Sequence, residues 1–238
     1  MRFRGLLATS LVALVIMAFT AFTIPAHADT IDWATWTSDT SGTSTPGSAT
    51  ASIGSIVVSY SGQTDGLLTG YPSWTPSSSY IGGVVGNAPP AADNSVKLEG
   101  GVAYTETITF SSAVADPILA IWSLGAGGDQ ASFDFTSSEP FNLVAGGPST
   151  EYGGSGLTKS GTDVLGAEGN GVVQFIGTYT SITFTTPTYE NYYAFTVGED
   201  QTLTSGLGAT PEPGTLSLLG LGLVALPFVR ARFARSRS

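Results

Sequence analysis

The chain has 238 residues and a formal net charge of −10. Seventeen acidic residues lie between Asp29 and Asp200, against two basic ones, Lys97 and Lys159, so this segment carries a formal charge of −15. The chain has no cysteine, and its one histidine, His27, lies outside this segment. The segment therefore cannot form disulfides, zinc or copper sites of the usual ligands, or the Ser-His-Asp and Cys-His groups of nucleophilic catalysis. Its negative charge also disfavours binding to nucleic acid.

The first 28 residues have the three parts of a secretory signal peptide. Two arginines open the chain, and residues 6–22 form an apolar segment interrupted only by two threonines and a serine. Ala26 and Ala28 place small residues at the two positions that signal peptidase reads, so we expect cleavage before Asp29. The alternative is a helix that is retained as a permanent N-terminal anchor. A cleaved signal peptide implies that the chain after it is translocated.

Residues 29–205 consist of short segments in which apolar residues alternate with serine, threonine or aspartate. Alternation at period two is typical of half-buried strands, and threonine and aromatic residues favour them. Residues 117–124 (PILAIWSL) are apolar on both faces instead, which predicts a central strand buried on both sides. The ten predicted strands are 31–36, 53–60, 96–98, 102–110, 117–124, 133–135, 141–145, 172–176, 180–185 and 191–197.

Turns rich in glycine, proline and serine separate these strands at hairpin-like spacing. We therefore predict an all-β fold, an antiparallel β-sandwich with jelly-roll-like topology. Two stretches without periodicity, 61–94 and 149–170, are predicted to be loops, and residues 38–52 to be a loop or a sheet edge. Glu106 interrupts the apolar face of its strand, so it stands at a strand end or bulge, or pairs with Lys97.

The last 28 residues, 211–238, contain three elements in order. Pro211, Glu212 and Pro213 are followed by sixteen uncharged residues, 214–229, and then by a basic end. A helix of this length spans about 24 Å, less than a hydrocarbon core of about 30 Å, so we expect a C-terminal transmembrane helix that flanking residues and local thinning accommodate. The arginines expected to hold the end in the cytoplasm are Arg230, Arg232, Arg235 and Arg237.

This order of tripeptide, apolar segment and arginines resembles the PEP-CTERM sorting signal of Gram-negative bacteria. The resemblance implies recognition by an exosortase, a membrane-embedded transpeptidase-like enzyme that cuts near the Pro-Glu-Pro site and releases or transfers the upstream domain. With signal peptidase as the other processing partner, it implies a precursor held transiently in the inner membrane and a mature form at the cell surface or outside the cell. The alternative is an ordinary core helix with a basic surface tail.

The predicted organisation is a signal peptide at 1–28, a β-sandwich domain at 29–205, a linker of small residues at 206–210 and the sorting signal at 211–238. A signal helix and a transmembrane helix thus flank an all-β domain. Both ends are basic and face the cytoplasm in the precursor, whereas the acidic middle is exported.

The domain itself resembles the body of many PEP-CTERM proteins. The stretches that carry this second resemblance are AIWSLG at 120–125, GGPSTEYGG at 146–154, EGNGVVQF at 168–175 and AFTVG at 194–198. It implies a sandwich exported with extracellular polysaccharide or biofilm, and it brings no catalytic residue with it.

We therefore predict a non-enzymatic protein with a structural or adhesive role in exopolysaccharide or biofilm. The alternative is a carbohydrate-binding module in which Tyr71, Trp74 and Tyr80, within the loop 61–94, stack on sugar rings. These rings can instead plug one end of the sandwich, since buried aromatic residues dominate cores. Trp122, in the apolar strand, is expected to be a core residue.

A third hypothesis is a glycoside hydrolase, which needs two carboxyl groups roughly 5–10 Å apart. Asp134, Glu139 and Glu151 are its candidates, although solvated surface charge is the stronger interpretation in so acidic a domain. We expect no cofactor and no metal site. Asp129 and residues 168–170 lie in polar loops that calcium can use, but they match neither an EF-hand nor a nonapeptide repeat.

Overall fold

The computed structural model describes residues 28–71, 73–90 and 95–201, apart from the side chains of residues 43–45. Within these ranges, no helix is both long enough and apolar enough to cross a membrane. The predicted signal helix, the linker at 206–210 and the predicted transmembrane helix with its basic end lie outside the described residues.

The described residues form sixteen strands and one turn of 3₁₀ helix, Ser77–Ser79. In chain order the strands are β1 (Ile31–Trp33), β2 (Thr35–Thr40), β3 (Gly42–Ile53), β4 (Ile56–Thr64), β5 (Leu67–Leu68), β6 (Ser95–Leu98), β7 (Glu106–Ala115), β8 (Ile118–Leu124), β9 (Ala131–Phe135), β10 (Phe141–Gly146), β11 (Ser155–Gly156), β12 (Thr158–Ser160), β13 (Asp163–Gly166), β14 (Gly169–Phe175), β15 (Thr178–Thr185) and β16 (Tyr193–Asp200).

Hydrogen bonding joins the strands into two sheets of eight strands each. The first has the order β10-β14-β8-β16-β6-β5, with β1 beside β16 and β11 beside β14; we call it the covered sheet, because the chain after β5 lies over its outer face. The second, the open sheet, has the order β12-β13-β9-β15-β7-β4-β3-β2. The described pairs are antiparallel except β11–β14, where two residues on each strand pair in parallel.

The strand order is that of a jelly roll. From β6 to β9 and again from β13 to β16, consecutive strands alternate between the two sheets. The second group interleaves with the first, giving β14-β8-β16-β6 in the covered sheet and β13-β9-β15-β7 in the open sheet. Eight strands that alternate in this way form the double-sheet jelly roll. The predicted all-β, antiparallel, jelly-roll-like sandwich is therefore confirmed.

The core between the sheets is rich in aromatic rings. Phe133 on β9 lies among Phe135, Phe184, Tyr193 and Phe195, with ring centroids 5.0–6.3 Å away. Most of these contacts are edge-to-face or tilted, the arrangements that the aromatic quadrupole favours. Since β9 and β15 belong to the open sheet and β16 to the covered sheet, these rings connect the two sheets directly.

Strand β8 is buried along its whole length, as its apolar sequence predicts. Leu119 and Ile121 face the core between the sheets, whereas Ile118 and Trp122 face a second apolar cluster on the outer side of the covered sheet. The chain at 69–71 and 73–90 covers this outer cluster and contributes Trp74 to it. The long irregular stretch therefore adds a third layer over the outer face of the covered sheet.

The predicted loops are only partly correct. Residues 38–52 form most of the β2–β3 hairpin at the margin of the open sheet, in line with the edge interpretation. The stretch 149–170 contains β11, β12, β13 and the start of β14, and the stretch 61–94 begins within β4 and includes β5. Their alternation is weak because little of them meets a core, as in β12, where all three residues are exposed.

Glu106 stands at the first position of β7, and its side chain is fully buried. The hydroxyl groups of Tyr60 and Thr186 donate hydrogen bonds to its two carboxylate oxygens. The predicted position at a strand end is correct, but a pair with Lys97 is not formed, because Lys97 bridges to Asp65. Burial raises the pKa of Glu106 to about 7, and the hydrogen bonds from Thr186 and Tyr60 oppose this rise.

We predict that Glu106 makes the domain less stable as the pH rises. Its carboxyl group keeps its proton in the folded state up to about pH 7, whereas the ordinary value is 4.5, so its contribution is complete below pH 4.5 and is lost as the pH rises through 7. In denaturant titrations, the free energy of unfolding of the wild type should fall by a Glu106 contribution on the order of 3 kcal/mol between pH 5 and pH 8. The Glu106→Gln variant should lack this contribution. Glu151→Gln, at an exposed position, should keep the wild-type slope. Equal slopes in wild type and Glu106→Gln would contradict this.

A second prediction concerns the outer cluster. Trp74 is 2% exposed and packs edge-on against Tyr80, with ring centroids 5.2 Å apart. Trp74→Ala should therefore lower the free energy of unfolding by about 3–5 kcal/mol, as expected for a large core residue. Tyr71→Ala, in the same stretch but at the surface, should change it by less than about 1 kcal/mol. Equal effects of the two substitutions in denaturant titrations would mean that 69–90 is not a packed layer.

Candidate functional site

A groove lies at the end of the sandwich where β8 stops and β14 and β16 begin. Two adjoining cavities of about 150 and 220 Å³ form it, and they share Ala126, Glu190 and Asn191. We call them together the acidic groove. The first cavity is also lined by Ser123, Gly125, Tyr152, Glu168 and Tyr192, and the second by Asp129, Ala131, Thr188 and Tyr189.

The turn after β8 forms one wall of the groove, and Gly125 is required in it. Its φ is +79°, in the left-handed region that favours glycine. A Cβ at this position would lie 2.2 Å from the carbonyl oxygen of Gly166, so no side chain fits. This close approach positions the turn at 125–129 beside the chain that leads into β14.

Two residues of the first cavity have backbones in the left-handed region although they are not glycine. Ser123 has a φ of 58° and Glu168 of 55°, conformations that cost free energy and need support from their surroundings. The Ser123 hydroxyl donates to Oε2 of Glu168 over 2.6 Å. Asn170 accepts from the Ser123 amide at 2.9 Å and donates to the Glu168 carbonyl at 2.9 Å. These bonds hold the Glu168 carboxylate at the groove.

Glu190 lies between the two cavities, on the loop that precedes β16. Its side chain is only 8% exposed, and neither carboxylate oxygen has a hydrogen-bond partner among the described residues. Burial, and then the charge of Glu168, raise the pKa of Glu190 to about 8, while the Gly125 backbone N–H, which approaches the carboxyl group without completing a hydrogen bond, opposes the rise. A buried carboxyl group without a partner is costly, which makes this residue the most unusual in the groove.

Three tyrosines surround Trp122 beside the groove. The ring centroids of Tyr71, Tyr152 and Tyr192 lie 6.4, 5.6 and 5.9 Å from that of Trp122. Tyr71 and Tyr152 are 42% and 45% exposed, and the hydroxyl groups of Tyr152 and Tyr192 are hydrogen-bonded to each other. We call these three tyrosines the tyrosine cap. They present aromatic surface to solvent next to two carboxyl groups.

The structure separates the three aromatic residues that the sequence suggests for sugar binding. Tyr71 belongs to the tyrosine cap, whereas Trp74 and Tyr80 are buried in the outer cluster, Tyr80 at 0% exposure. The Tyr80 hydroxyl donates to the Ser73 carbonyl at 2.9 Å. Trp122 is a core residue, as expected.

Sequence reasoning missed Tyr152, Tyr192 and Glu190. Tyr192 precedes Tyr193, which points into the core, so the doublet indicates that Tyr192 faces outward. Tyr152 stands between polar residues and glycines, a place where a large ring has no core to enter. No comparable pattern distinguishes Glu190 from the other acidic residues.

The suggested hydrolase carboxyl groups do not meet at the groove. The two oxygens of Glu139 accept hydrogen bonds from the amides and hydroxyls of Thr136 and Thr183, over 2.6–3.1 Å. Asp134 lies opposite Asp163 in the open sheet, and Glu151 is exposed. None of these three residues lines the acidic groove.

The calcium candidates do reach the groove, but in different cavities. Asp129 lines the second cavity and Glu168 the first. Across the ranges that the structure describes, there is no group of three or more histidine, cysteine, aspartate or glutamate side chains arranged to hold a metal ion.

Comparison with known proteins finds a match in the C-terminal segment of the chain. Residues 209–235 match the family model of the PEP-CTERM protein-sorting motif, whereas no curated protein and no solved structure matches the chain significantly. The matched residues include the Pro-Glu-Pro tripeptide, the uncharged segment and Arg230, Arg232 and Arg235. Such a motif implies an exported protein with a membrane-anchored precursor that an exosortase processes. The chain therefore carries a PEP-CTERM protein-sorting motif at its C-terminal end.

Proposed function

We propose that the chain is a non-enzymatic structural or adhesive protein of the cell surface or the extracellular polysaccharide of a Gram-negative bacterium. The observation that carries this proposal is the sorting motif at residues 209–235, attached to an acidic jelly-roll domain. Export explains why arginine is confined to the two ends, where it holds a membrane segment against translocation. Inner-membrane residence is then only a stage of processing.

Two features of the domain favour a binding or structural role. The oxygens of Glu139 are occupied by the turn at 136–139 and by β15. The outer face of the open sheet carries mainly threonine and serine, as in β15, where Thr178, Thr180 and Ser181 are exposed. Such a surface is well hydrated and suits a protein embedded in polysaccharide.

Carbohydrate binding is the second candidate function, and the tyrosine cap favours it. Exposed rings beside hydrogen-bonding groups offer a flat apolar surface for the face of a sugar together with acceptors for its hydroxyl groups. Jelly-roll sandwiches host many functions, so the fold by itself does not select this one. The support comes from Tyr71, Tyr152 and Tyr192 and from the adjoining groove.

We predict that the Pro-Glu-Pro tripeptide is needed for processing. Replacing Pro211, Glu212 and Pro213 together by alanine should leave the precursor in the membrane fraction with residues 214–238 still attached, because the exosortase has lost its recognition site. Immunoblots of membrane, surface and medium fractions, with one antibody to the domain and one to the C-terminus, measure this. Ser205→Ala, upstream of the motif, is the control and should be processed normally. Normal processing of the triple variant would contradict the prediction.

We also predict that the tyrosine cap binds polysaccharide. Tyr71→Ala combined with Tyr152→Ala should weaken retention on the producing cell's exopolysaccharide about tenfold in affinity electrophoresis, since each stacked ring contributes roughly 0.5–1.5 kcal/mol. Val57→Ala, at an exposed position on the open sheet, is the control and should not change retention. Equal retention of the double variant and the control would exclude the cap as the binding surface.

A further inference from the structure

We propose that the acidic groove binds the ammonium group of an amino-sugar unit, with Glu190 and Glu168 as its acceptors and the rings of Tyr152 and Tyr192 as the surface for the sugar. This inference rests on the proposed binding of polysaccharide. It goes further because it names the class of sugar and the residues that select it.

Glu190 lacks a hydrogen-bond partner among the described residues. Its two carboxylate oxygens are buried and accept no hydrogen bond from the described residues. Buried polar groups in proteins are nearly always hydrogen-bonded, and each exception calls for an explanation. A ligand with several N–H donors supplies the missing bonds, and an ammonium group supplies charge-assisted ones.

Both basic side chains of the domain are engaged away from the groove. Between residues 29 and 209 the sequence contains only two basic residues, Lys97 and Lys159. Lys97 bridges to Asp65, and its Nζ lies 5.0 Å from the centroid of the Tyr192 ring. Lys159 donates to the carbonyl of Phe141 and lies 4.1 Å from the centroid of that ring. Neither lysine lines the acidic groove, so neither is placed to pair with Glu168 or Glu190 there.

An organic cation fits the groove better than a metal ion. Calcium takes six to eight oxygen ligands, and the described residues contain no group of three acidic side chains arranged for a metal. An ammonium group needs only two or three acceptors, and tyrosine rings attract cations through their faces. Tyr192 already shows this affinity, because it lies against the ammonium group of Lys97.

The size and lining of the groove favour a sugar as the carrier of the ammonium group. A cavity near 150 Å³ holds one six-membered ring, and the two cavities adjoin, as consecutive units of a chain would require. The Ser123 hydroxyl and the Asn191 amide add hydrogen-bonding groups for sugar hydroxyls. A uronic acid, by contrast, would meet two carboxyl groups and a domain of formal charge −15.

The ionisation of Glu190 agrees with this assignment. Burial and the charge of Glu168 raise its pKa to about 8, so it is largely protonated at pH 7. The Tyr193 phenol, whose pKa Glu190 helps to raise, and the Gly125 backbone carry no charge at pH 7, whereas Asp129 lines the second cavity together with Glu190. An incoming ammonium group would favour the carboxylate, since an opposite charge nearby stabilises the ionised form.

The test is isothermal titration calorimetry of the full-length protein in detergent with a trimer of glucosamine and with the same trimer fully N-acetylated, at pH 6.5. Acetylation removes the charge and leaves the sugar rings, so the acetylated trimer should bind at least tenfold more weakly. Glu190→Gln should lose at least tenfold in affinity for the glucosamine trimer. Asp39→Asn, which removes the same charge from the exposed margin of the open sheet, is the control and should bind as the wild type does.

A second pair of variants keeps the test valid if Glu190→Gln does not fold. Tyr152 is at the surface, so Tyr152→Leu should fold yet bind the glucosamine trimer several-fold more weakly, whereas Tyr152→Phe retains the ring and should bind nearly as the wild type does. Equal binding by the Leu and Phe variants would overturn the role of the ring.

The remaining outcomes separate this inference from the proposed function. Equal affinity for both trimers, or retention on the native exopolysaccharide without binding of the glucosamine trimer, would overturn the ammonium assignment and leave polysaccharide binding intact. Failure to bind any saccharide would overturn both. A lysine-rich peptide that displaces the trimer with equal or higher affinity would show that the groove takes a polypeptide amine, and would overturn the sugar assignment.

Discussion

Burial of β8 on both of its faces is the constraint on which the rest of the structure depends. A strand with apolar residues on each side needs a layer above and a layer below, and the open sheet supplies only one of them. The chain at 69–90 supplies the other, and it brings Tyr71 to the ring of Trp122. A large buried ring contributes several kcal/mol, so the irregular stretch is ordered by packing although it has almost no regular structure.

The same strand determines where the groove lies. β8 ends next to the starts of β14 and β16, because both of these neighbours run antiparallel to it. The turn at 125–129 and the loop at 187–192 therefore meet at one end of the sandwich, and Glu190, which the loop carries, is buried where they meet. In a domain with two lysines, both already engaged, a carboxyl group enclosed in this way has no internal cation to pair with.

The fold could be predicted from the sequence wherever one face of a strand meets the core, as for Phe133 and Phe135 or Ile182 and Phe184. It could not be predicted for β12, since exposed strands have no alternation. The sorting motif is linear, so its order of elements is legible without a structure. The place of Glu190 in the groove could not be predicted, because its burial depends on two turns that are far apart in the chain. In the sequence it looks like the many acidic residues that lie in solvent.

In the proposed route, both basic ends are removed and only the acidic domain leaves the cell. The most direct measurement is the intact mass of the wild-type protein recovered from the surface and the medium of undisturbed cells, with sequencing of both termini. The account predicts an N-terminus at Asp29 and a C-terminus near residues 211–213, with any attached glycan as added mass. Recovery of the full-length, uncut chain from the cytosol would contradict it.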